Sequence, residues 1–220
     1  FEDLCYDALS SLLALRHAAL EHVVFLNVIE KDKVALKRGS GYLKEEEVKL
    51  KETANIRFID WAENLFEMGL EVGAYIEVSS LVPEILNVVE KESPDLIVIG
   101  RSHKGPLEQL YSSSDVMELI RRTQIPVLVF KHMMEDNIVP EKIFERPLFA
   151  NNWGETGQKA IAYIKGLKEV IGELHIMHVL KEKALKASDT HEVQKVRKKE
   201  RRRLDDLSFE FEDEGIEARP

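Results

Sequence analysis

The sequence predicts a doubly wound α/β fold, in which a parallel sheet is covered by helices on both faces. Short apolar stretches alternate with amphipathic ones along the chain, and such alternation is typical of strands joined by crossover helices. The stretch Asp95 to Gly100 is almost wholly apolar, as expected of a strand buried on both faces of a parallel sheet. One helix–strand–helix pattern occurs twice, which predicts a tandem of two such domains.

The first half of the chain contains four predicted strands and four predicted helices. Gly69 ends the longest of these helices, because glycine favours helix termini, and Pro83 lies in the first turn of the next. The helices are predicted at 8–20, 44–69, 83–92 and 112–122, and the strands at 22–30, 71–78, 95–100 and 126–131.

The second half repeats this pattern after a proline-containing segment. A strand is predicted to end at 148–150, followed by a helix at 155–170, a strand at 173–180 and a charged helix at 181–215. The run FLNVIEKDKVALK (25–37) is similar to HIMHVLKEKALK (175–186). Because a period near 150 residues is too long for a solenoid, we expect domains at 1–133 and 147–220, joined by a linker at 134–146.

The two predicted domains are unequal in what they contain. The second opens with a strand that the first lacks, and it stops where its third strand would start. Because a missing internal strand would leave unpaired backbone groups buried, which is costly, either the chain continues beyond both ends or each half completes the other. We favour the first explanation.

Composition narrows the function classes. The formal net charge of -9 argues against broad nucleic-acid binding, which requires a basic surface. The single cysteine, Cys5, excludes an intramolecular disulfide and argues against a cysteine-based metal site. No apolar run approaches the ~18 residues of a membrane span, and no signal peptide is visible, so a cytoplasmic location without membrane contact is predicted.

The stretch DLIVIGRSHKGPLEQLYSSSDVMELIRRTQIPVLVF (95–130) resembles the universal stress protein family. The family pattern has a strand ending in glycine, then G-x2-G-x9-G-[ST], a helix and a closing P-V-L-[VI]-V strand. Residues 95–100, 119–122 and 126–130 match without a gap, and LNVIE upstream resembles the family's second strand. The resemblance covers 4–131 as one domain and 147–220 as part of another.

The resemblance implies a five-stranded parallel sheet sandwiched by helices, the adenine-nucleotide alpha-hydrolase-like fold. It also implies dimerisation through the last strand, and ATP or related nucleotide binding in many members but not all. A regulatory or protective role during stress, with little catalysis, goes with the family. The nucleotide-binding positions that it implies here are Val28, Ile99, Gly100, Arg101, His103, Ser113 and Ser114.

The predicted nucleotide loop departs from the family pattern at two glycines. His103 and Ser113 stand where the second and third glycines would be, and each adds a Cβ where a phosphate approaches the backbone. Asp115 places a negative charge at the phosphate end, which would repel a phosphate by about 4 kcal/mol at about 4 Å and an effective dielectric of about 20. The same carboxylate could instead cap the helix.

The positive charges of the loop argue in the other direction. Arg101 and Lys104, with titratable His103, could hold a phosphate through side chains. In the second unit N-N-W-G-E-T is similar to the family's P-T-D-x-S-E, and we assign Asn152 to the position of the Asp that contacts the nucleoside. We expect a degenerate loop without tight ATP binding, which retains weak binding of AMP or of a small anion at Arg101 and Ser114.

Other candidate residues carry no chemistry by themselves. His175 and His178 point to opposite faces of a predicted strand and cannot chelate one metal, and no catalytic or metal-ligating constellation is present. The basic run KVRKKERRR (195–203) lies among acids, as in a solvated helix face. Phe58, Trp61 and Phe66 are predicted core residues.

Three function classes remain open. A non-catalytic regulatory stress protein leads. The alternatives are an ATP- or AMP-binding protein with slow hydrolysis helped by Lys104 or His103, and an interaction module whose long charged helices recruit an unidentified protein. We also expect self-association through the 126–131 strand, as a pseudo-dimer within the chain or as a homodimer, since an exposed apolar edge requires a cover.

Overall fold

The computed structural model describes residues 6–35, 41–101, 113–131, 142–180 and 190–220. The chain divides into two compact units, of which the first comprises Phe1–Ser10 with Leu20–Val139 and the second Ser11–Ala19 with Pro140–Pro220. The predicted domain and linker boundaries stay a prediction.

Strands and helices alternate within each unit of the described chain, as the sequence predicted. The helices are α1 (Tyr6–Leu12), α2 (Lys44–Glu67), α3 (Leu81–Glu92), α4 (Ser113–Arg122), α5 (Glu155–Gly166) and α6 (Thr190–Asp213). The strands are β1 (His22–Glu30), β2 (Glu71–Ser79), β3 (Ile97–Arg101), β4 (Val127–Lys131), β5 (Leu148–Ala150), β6 (Glu173–Met177) and β7 (Glu217–Arg219). The described residues also include two 3-10 helices, Leu13–Ala18 and Lys31–Val34.

All pairings between the named strands of the described chain are parallel. In the first unit β1 pairs with β2 and β3 pairs with β4, and in the second unit the order is β5-β6-β7. These sheets are smaller than the predicted five strands. In the second unit β5, the strand that precedes α5, pairs with one side of β6, and β7 pairs with the other side. In the first unit no described strand precedes α1. No described strand therefore joins the β1-β2 sheet to the β3-β4 sheet.

The first unit has an aromatic core and an aliphatic one. Phe25 stacks on Phe58 with ring centroids 5.1 Å apart and lies 5.4 Å from the ring of Trp61. Phe66, predicted in the core, is 76% exposed; that prediction was wrong because Leu65, four residues after Trp61, takes the inward position. Around α3, the aliphatic cluster consists of Val82, Ile85, Ile97, Ile99 and Leu119.

The second unit buries one face of its sheet against α5 and α6. Phe211 of α6 is fully buried and meets Phe149 of β5 edge to face, with centroids 6.4 Å apart. Leu174 and Ile176 alternate inward along β6, as side chains of a strand must. This packing fixes the carboxyl ends of β5 and β6 next to α6.

Several predicted elements end earlier than the sequence indicated, and three of them differ by more than two residues. The helix predicted at 8–20 is α1 followed by a 3-10 helix that ends at Ala18, after which Ala19 takes a left-handed conformation with φ 62°. The predicted helix at 155–170 ends at Gly166, and the predicted strand at 173–180 ends at Met177. Of the charged helix predicted at 181–215, residues 181–189 lie outside the described residues, and α6 covers 190–213. No described helix is long and apolar enough to cross a membrane.

Candidate functional site

The predicted nucleotide site of the first unit lies where β3 ends and α4 begins. Gly100 and Arg101 close β3, and Ser113 opens α4 with Asp115 in its first turn. A helix that follows a parallel strand runs back along the sheet, so its amino end lies at the edge where the strands end. That arrangement suits an anion, because the first N–H groups of a helix lack backbone acceptors.

The described residues of this site have unequal exposure. Ile99 is buried in the cluster around α3, and Val28 of β1 is half buried. Val28 lies two residues beyond Leu26, which packs against that same cluster, so both side chains lie on one face of β1. Ser114 is exposed and Asp115 half buried. His103 and Lys104 fall on residues outside the described part of the chain.

A second group of polar side chains lies at the carboxyl ends of β5 and β6. Ala150 pairs with Met177, and the N–H of Asn151 donates to the carbonyl of Met177 at 2.8 Å. Asn151 and His178 therefore leave neighbouring strands at the same edge. His178 Nδ1 lies 2.8 Å from the Asn151 carbonyl oxygen, which orients the imidazole.

Two asparagines shape the loop between β5 and α5. The Asn151 side-chain oxygen accepts the N–H of Trp153 at 2.8 Å, and that of Asn152 accepts the N–H of Gly154 at 2.9 Å. Trp153 takes a left-handed conformation with φ 60°. A Cβ on Gly157 would lie 2.4 Å from the Asn151 side-chain oxygen, so glycine at this position lets the buried Asn151 pack against α5.

Trp153 is enclosed by charged and aromatic groups from two other elements. The Arg203 guanidinium of α6 lies 4.2 Å from its ring centroid, within the range of a cation–π interaction. The His178 ring centroid lies 5.5 Å away at 43°. Glu200 is 3.2 Å from Arg203 and 3.9 Å from His178 Nε2. We call Asn151, Trp153, His178, Glu200 and Arg203 the edge cluster.

Two buried donors of the edge cluster lack an acceptor among the described residues, Asn151 Nδ2 and Trp153 Nε1. Burying an N–H group without an acceptor is unfavourable by about 1–3 kcal/mol. The cluster therefore combines a stacked indole with two N–H groups that an oxygen acceptor could satisfy.

Which residue of the second unit stands at the family's nucleoside-contacting position stays a prediction, and the count along the sequence favours a residue other than Asn152. Counted residue by residue, N-N-W-G-E-T places Trp153, rather than Asn152, opposite the Asp of P-T-D-x-S-E. Asn152 is exposed and caps the turn through its bond to Gly154. Sequence reasoning did not find the edge cluster. The one feature that could have indicated it is Trp153, three residues after the end of β5, because Glu200 and Arg203 lie far along the chain.

The described histidines do not form a metal site. His175 lies 3.4 Å from Glu173, whereas His178 faces the edge cluster. Within the described ranges, no group of three or more His, Cys, Asp or Glu side chains could hold a metal ion.

The chain is an α/β protein of the class in which helices connect parallel strands and candidate sites lie at the carboxyl ends of the strands. The profile of the Universal stress protein family matches residues 1–131. The chain therefore belongs to the universal stress protein family. Its relative Universal stress protein MJ0577 from Methanocaldococcus jannaschii is 28% identical over 145 residues, which cover 60% of this chain and 90% of that protein.

Two solved structures show the same fold over most of the chain. A universal stress protein from Archaeoglobus fulgidus superposes with a TM-score of 0.69 at 21% identity, over 97% of this chain and 70% of that one. A putative universal stress protein from Pseudomonas aeruginosa gives 0.53 at 20% identity, over 92% and 75%. At this level of identity the likeness concerns the fold.

Proposed function

We propose that this chain is a non-catalytic regulatory protein of the stress response whose nucleotide-binding loop is degenerate. Its family membership supports the stress-related role. The observation that carries the loss of nucleotide binding is Asp115, an acid in the first turn of α4 at the edge where a phosphate would bind. A carboxylate in that turn interacts favourably with the helix dipole and repels a second anion.

The edge cluster supports the same conclusion for the second unit. Trp153 stands opposite the family's nucleoside-contacting Asp, and Arg203 and His178 already contact the indole. A base that entered this edge would have to displace an existing cation–π contact, which stabilises the fold by about 0.5–2 kcal/mol. A cytoplasmic location goes with this role.

Calorimetric titration with ATP and AMP tests the proposal. We expect no ATP binding at micromolar concentrations, and AMP binding that is weak where it occurs. A His103→Gly, Ser113→Gly, Asp115→Val variant should bind ATP at least about tenfold more tightly, because removing one repulsion of this size is worth more than 1.4 kcal/mol. The matched control is the same variant with Ser114→Ala added, for which we expect a smaller increase in ATP affinity. Micromolar ATP binding by the native chain would contradict the proposal.

A second candidate function is ATP or AMP binding with slow hydrolysis. The observation in its favour is that the end of β3 and the amino end of α4 keep the arrangement of a phosphate site, with Arg101 at the strand end. The test is phosphate release from ATP. Release that disappears in Lys104→Ala and in His103→Ala, but persists in Lys168→Ala, would favour slow hydrolysis over the non-catalytic role.

Self-association through β4 belongs to the proposal as well. Val129 is 37% exposed, and among the described strands β4 pairs only with β3. We expect a second copy to cover this edge with its own β4. Val129→Lys should then lower the mass in sedimentation experiments, and an unchanged mass would remove the strand edge from the interface.

A further inference from the structure

The solvent-facing sides of α2 and α6 can be compared directly, because the two helices end in the same way. Each has 24 residues. After each, an N–H donates back across a turn, Leu70 to Leu65 and Ile216 to Phe211, at 3.1 and 3.0 Å. Leu65 and Phe211 are both fully buried. Positions 146 apart, as Leu65 and Phe211 are, therefore have equivalent orientations.

The outward face of α2 is apolar and acidic. Its four large apolar side chains, Val48, Ile56, Ile59 and Phe66, are 43%, 62%, 48% and 76% exposed. At 3.6 residues per turn they fall within an arc of about 80°, which also contains exposed Glu45, Glu52 and Glu63. None of these three carboxylates makes an ion pair with another described residue.

The outward face of α6 is basic. Lys195, Lys198, Lys199 and Arg202 follow the spacing i, i+3, i+4, i+7, which places them on one side of a helix. All four are exposed, and within the described ranges none forms an ion pair. Phe209, 63% exposed, lies on the same side about two turns further on.

Equivalent positions of the two helices carry complementary chemistry. Lys198 corresponds to Glu52, and Arg202 to the exposed Ile56. The cationic row from Lys195 to Arg202 is about 10 Å long, as is the distance from Glu45 to Glu52. Long basic side chains can cover apolar surface with their methylene stems while their charges meet carboxylates. Phe209 offers an apolar contact for the isoleucines of α2.

We propose that the outward face of α2 in one copy binds the outward face of α6 in a second copy of this chain. An exposed apolar stripe this long marks an interaction site, and its acids select a basic amphipathic partner. A second copy supplies that partner at the same concentration. Nucleic acid and anionic lipid would match α6 alone, and the net charge of -9 opposes both.

A charge-exchange experiment tests this interface. The first variant is Glu52→Lys with Glu63→Lys in α2, and the second is Lys198→Glu with Arg202→Glu in α6. The matched control reverses two exposed charges elsewhere, Lys168→Glu with Glu169→Lys. Each variant, fluorescently labelled, is titrated with unlabelled copies of itself and of the others, and the Kd is measured at about 0.05 M and about 0.5 M salt.

We expect the native chain and the control variant to self-associate more tightly at low salt. Each α2 or α6 variant should self-associate at least about tenfold more weakly, while mixing the two restores native affinity, because the reversed charges then match again. Pairing through β4 would be equal in all mixtures and cannot mimic this pattern. Equal Kd values in all mixtures would overturn the proposal. The proposal would also be overturned if the native chain did not self-associate but bound DNA or anionic vesicles, and if the α6 variant lost that binding.

Discussion

Helices α2 and α6 have the same length and end in the same turn, yet their surroundings differ. Gly69 and Gly215 follow them with φ of 82° and 90°, and the same three backbone hydrogen bonds close each turn. Towards the sheet, α2 contributes Phe58 to an aromatic stack, whereas the equivalent Leu204 is an aliphatic side chain that packs against the hydrophobic cluster around Phe149 and Phe211. The helix–turn–strand backbone, which we call the corner of each unit, thus tolerates the exchange of an aromatic for an aliphatic side chain at this inward position.

The largest difference lies at a single inward position. Ala54 of α2 is 3% exposed, whereas the equivalent Glu200 of α6 contacts Arg203 and His178. Exchange of a methyl group for a carboxylate at this position provides the anion that holds Arg203 over Trp153.

The strongest test of this comparison truncates a buried side chain of α6. Phe211→Ala should lower the free energy of unfolding by about 3–5 kcal/mol, because it removes a fully buried ring and leaves a cavity. Phe209→Ala, two residues away and 63% exposed, is the matched control, for which we expect a change within about 0.5 kcal/mol. Denaturant unfolding measures both, and equal effects would show that the inward face of α6 is misassigned.

A smaller effect is expected at the two turn glycines. Gly69→Ala and Gly215→Ala should each cost about 1–2 kcal/mol, because a Cβ is unfavourable in the left-handed conformation that both adopt. Gly166→Ala, in a helix and without a neighbour within 4 Å of the added Cβ, should instead stabilise by about 0.5–1 kcal/mol. Thermal unfolding measures the loss of stability in each variant. Markedly unequal losses for Gly69→Ala and Gly215→Ala would show that the two helix–turn–strand corners are not equivalent.

The smallest effect concerns the start of α2, where Glu47 has no counterpart in α6. Hydrogen bonds from Lys44, then from the Tyr42 hydroxyl and Lys51, lower the pKa of Glu47 to about 2. Because the pKa is lower in the folded state, the ionised Glu47 stabilises the folded protein at pH values above the ordinary pKa of 4.5. This contribution is lost as the pH falls from 4.5 to about 2.

Replacing the carboxylate checks this assignment. Glu47→Gln should flatten the dependence of unfolding free energy on pH in that window and leave its slope unchanged near pH 7. Glu45→Gln, exposed on the same first turn, is the control and should retain the native profile. An unaltered acid-range slope in the Glu47→Gln protein would assign the dependence to other carboxyl groups.

The sequence by itself determined the order and type of most elements, but the expectation that the second unit stops before its third strand was wrong, because Glu217–Arg219 forms β7 beside β6. Apolar periodicity identified β1 to β4 and α2, since burial of one face is a local pattern with a period of 2 or 3.6. Gly69 marked a helix end because only glycine enters that conformation without strain. The family followed from the loop and closing strand at 95–130. The tandem arrangement is still a prediction, which the shared corner supports.

Only the tertiary structure decided which distant residues meet. Phe66 has helical spacing from Phe58, but packing of Leu65 turned it outward. Trp153, His178 and Arg203 come from three separate segments, and they converge because β5 and β6 pair in parallel while α6 packs against them. Local preferences extend over a few residues, whereas this convergence depends on strand order and helix packing, which no local pattern encodes.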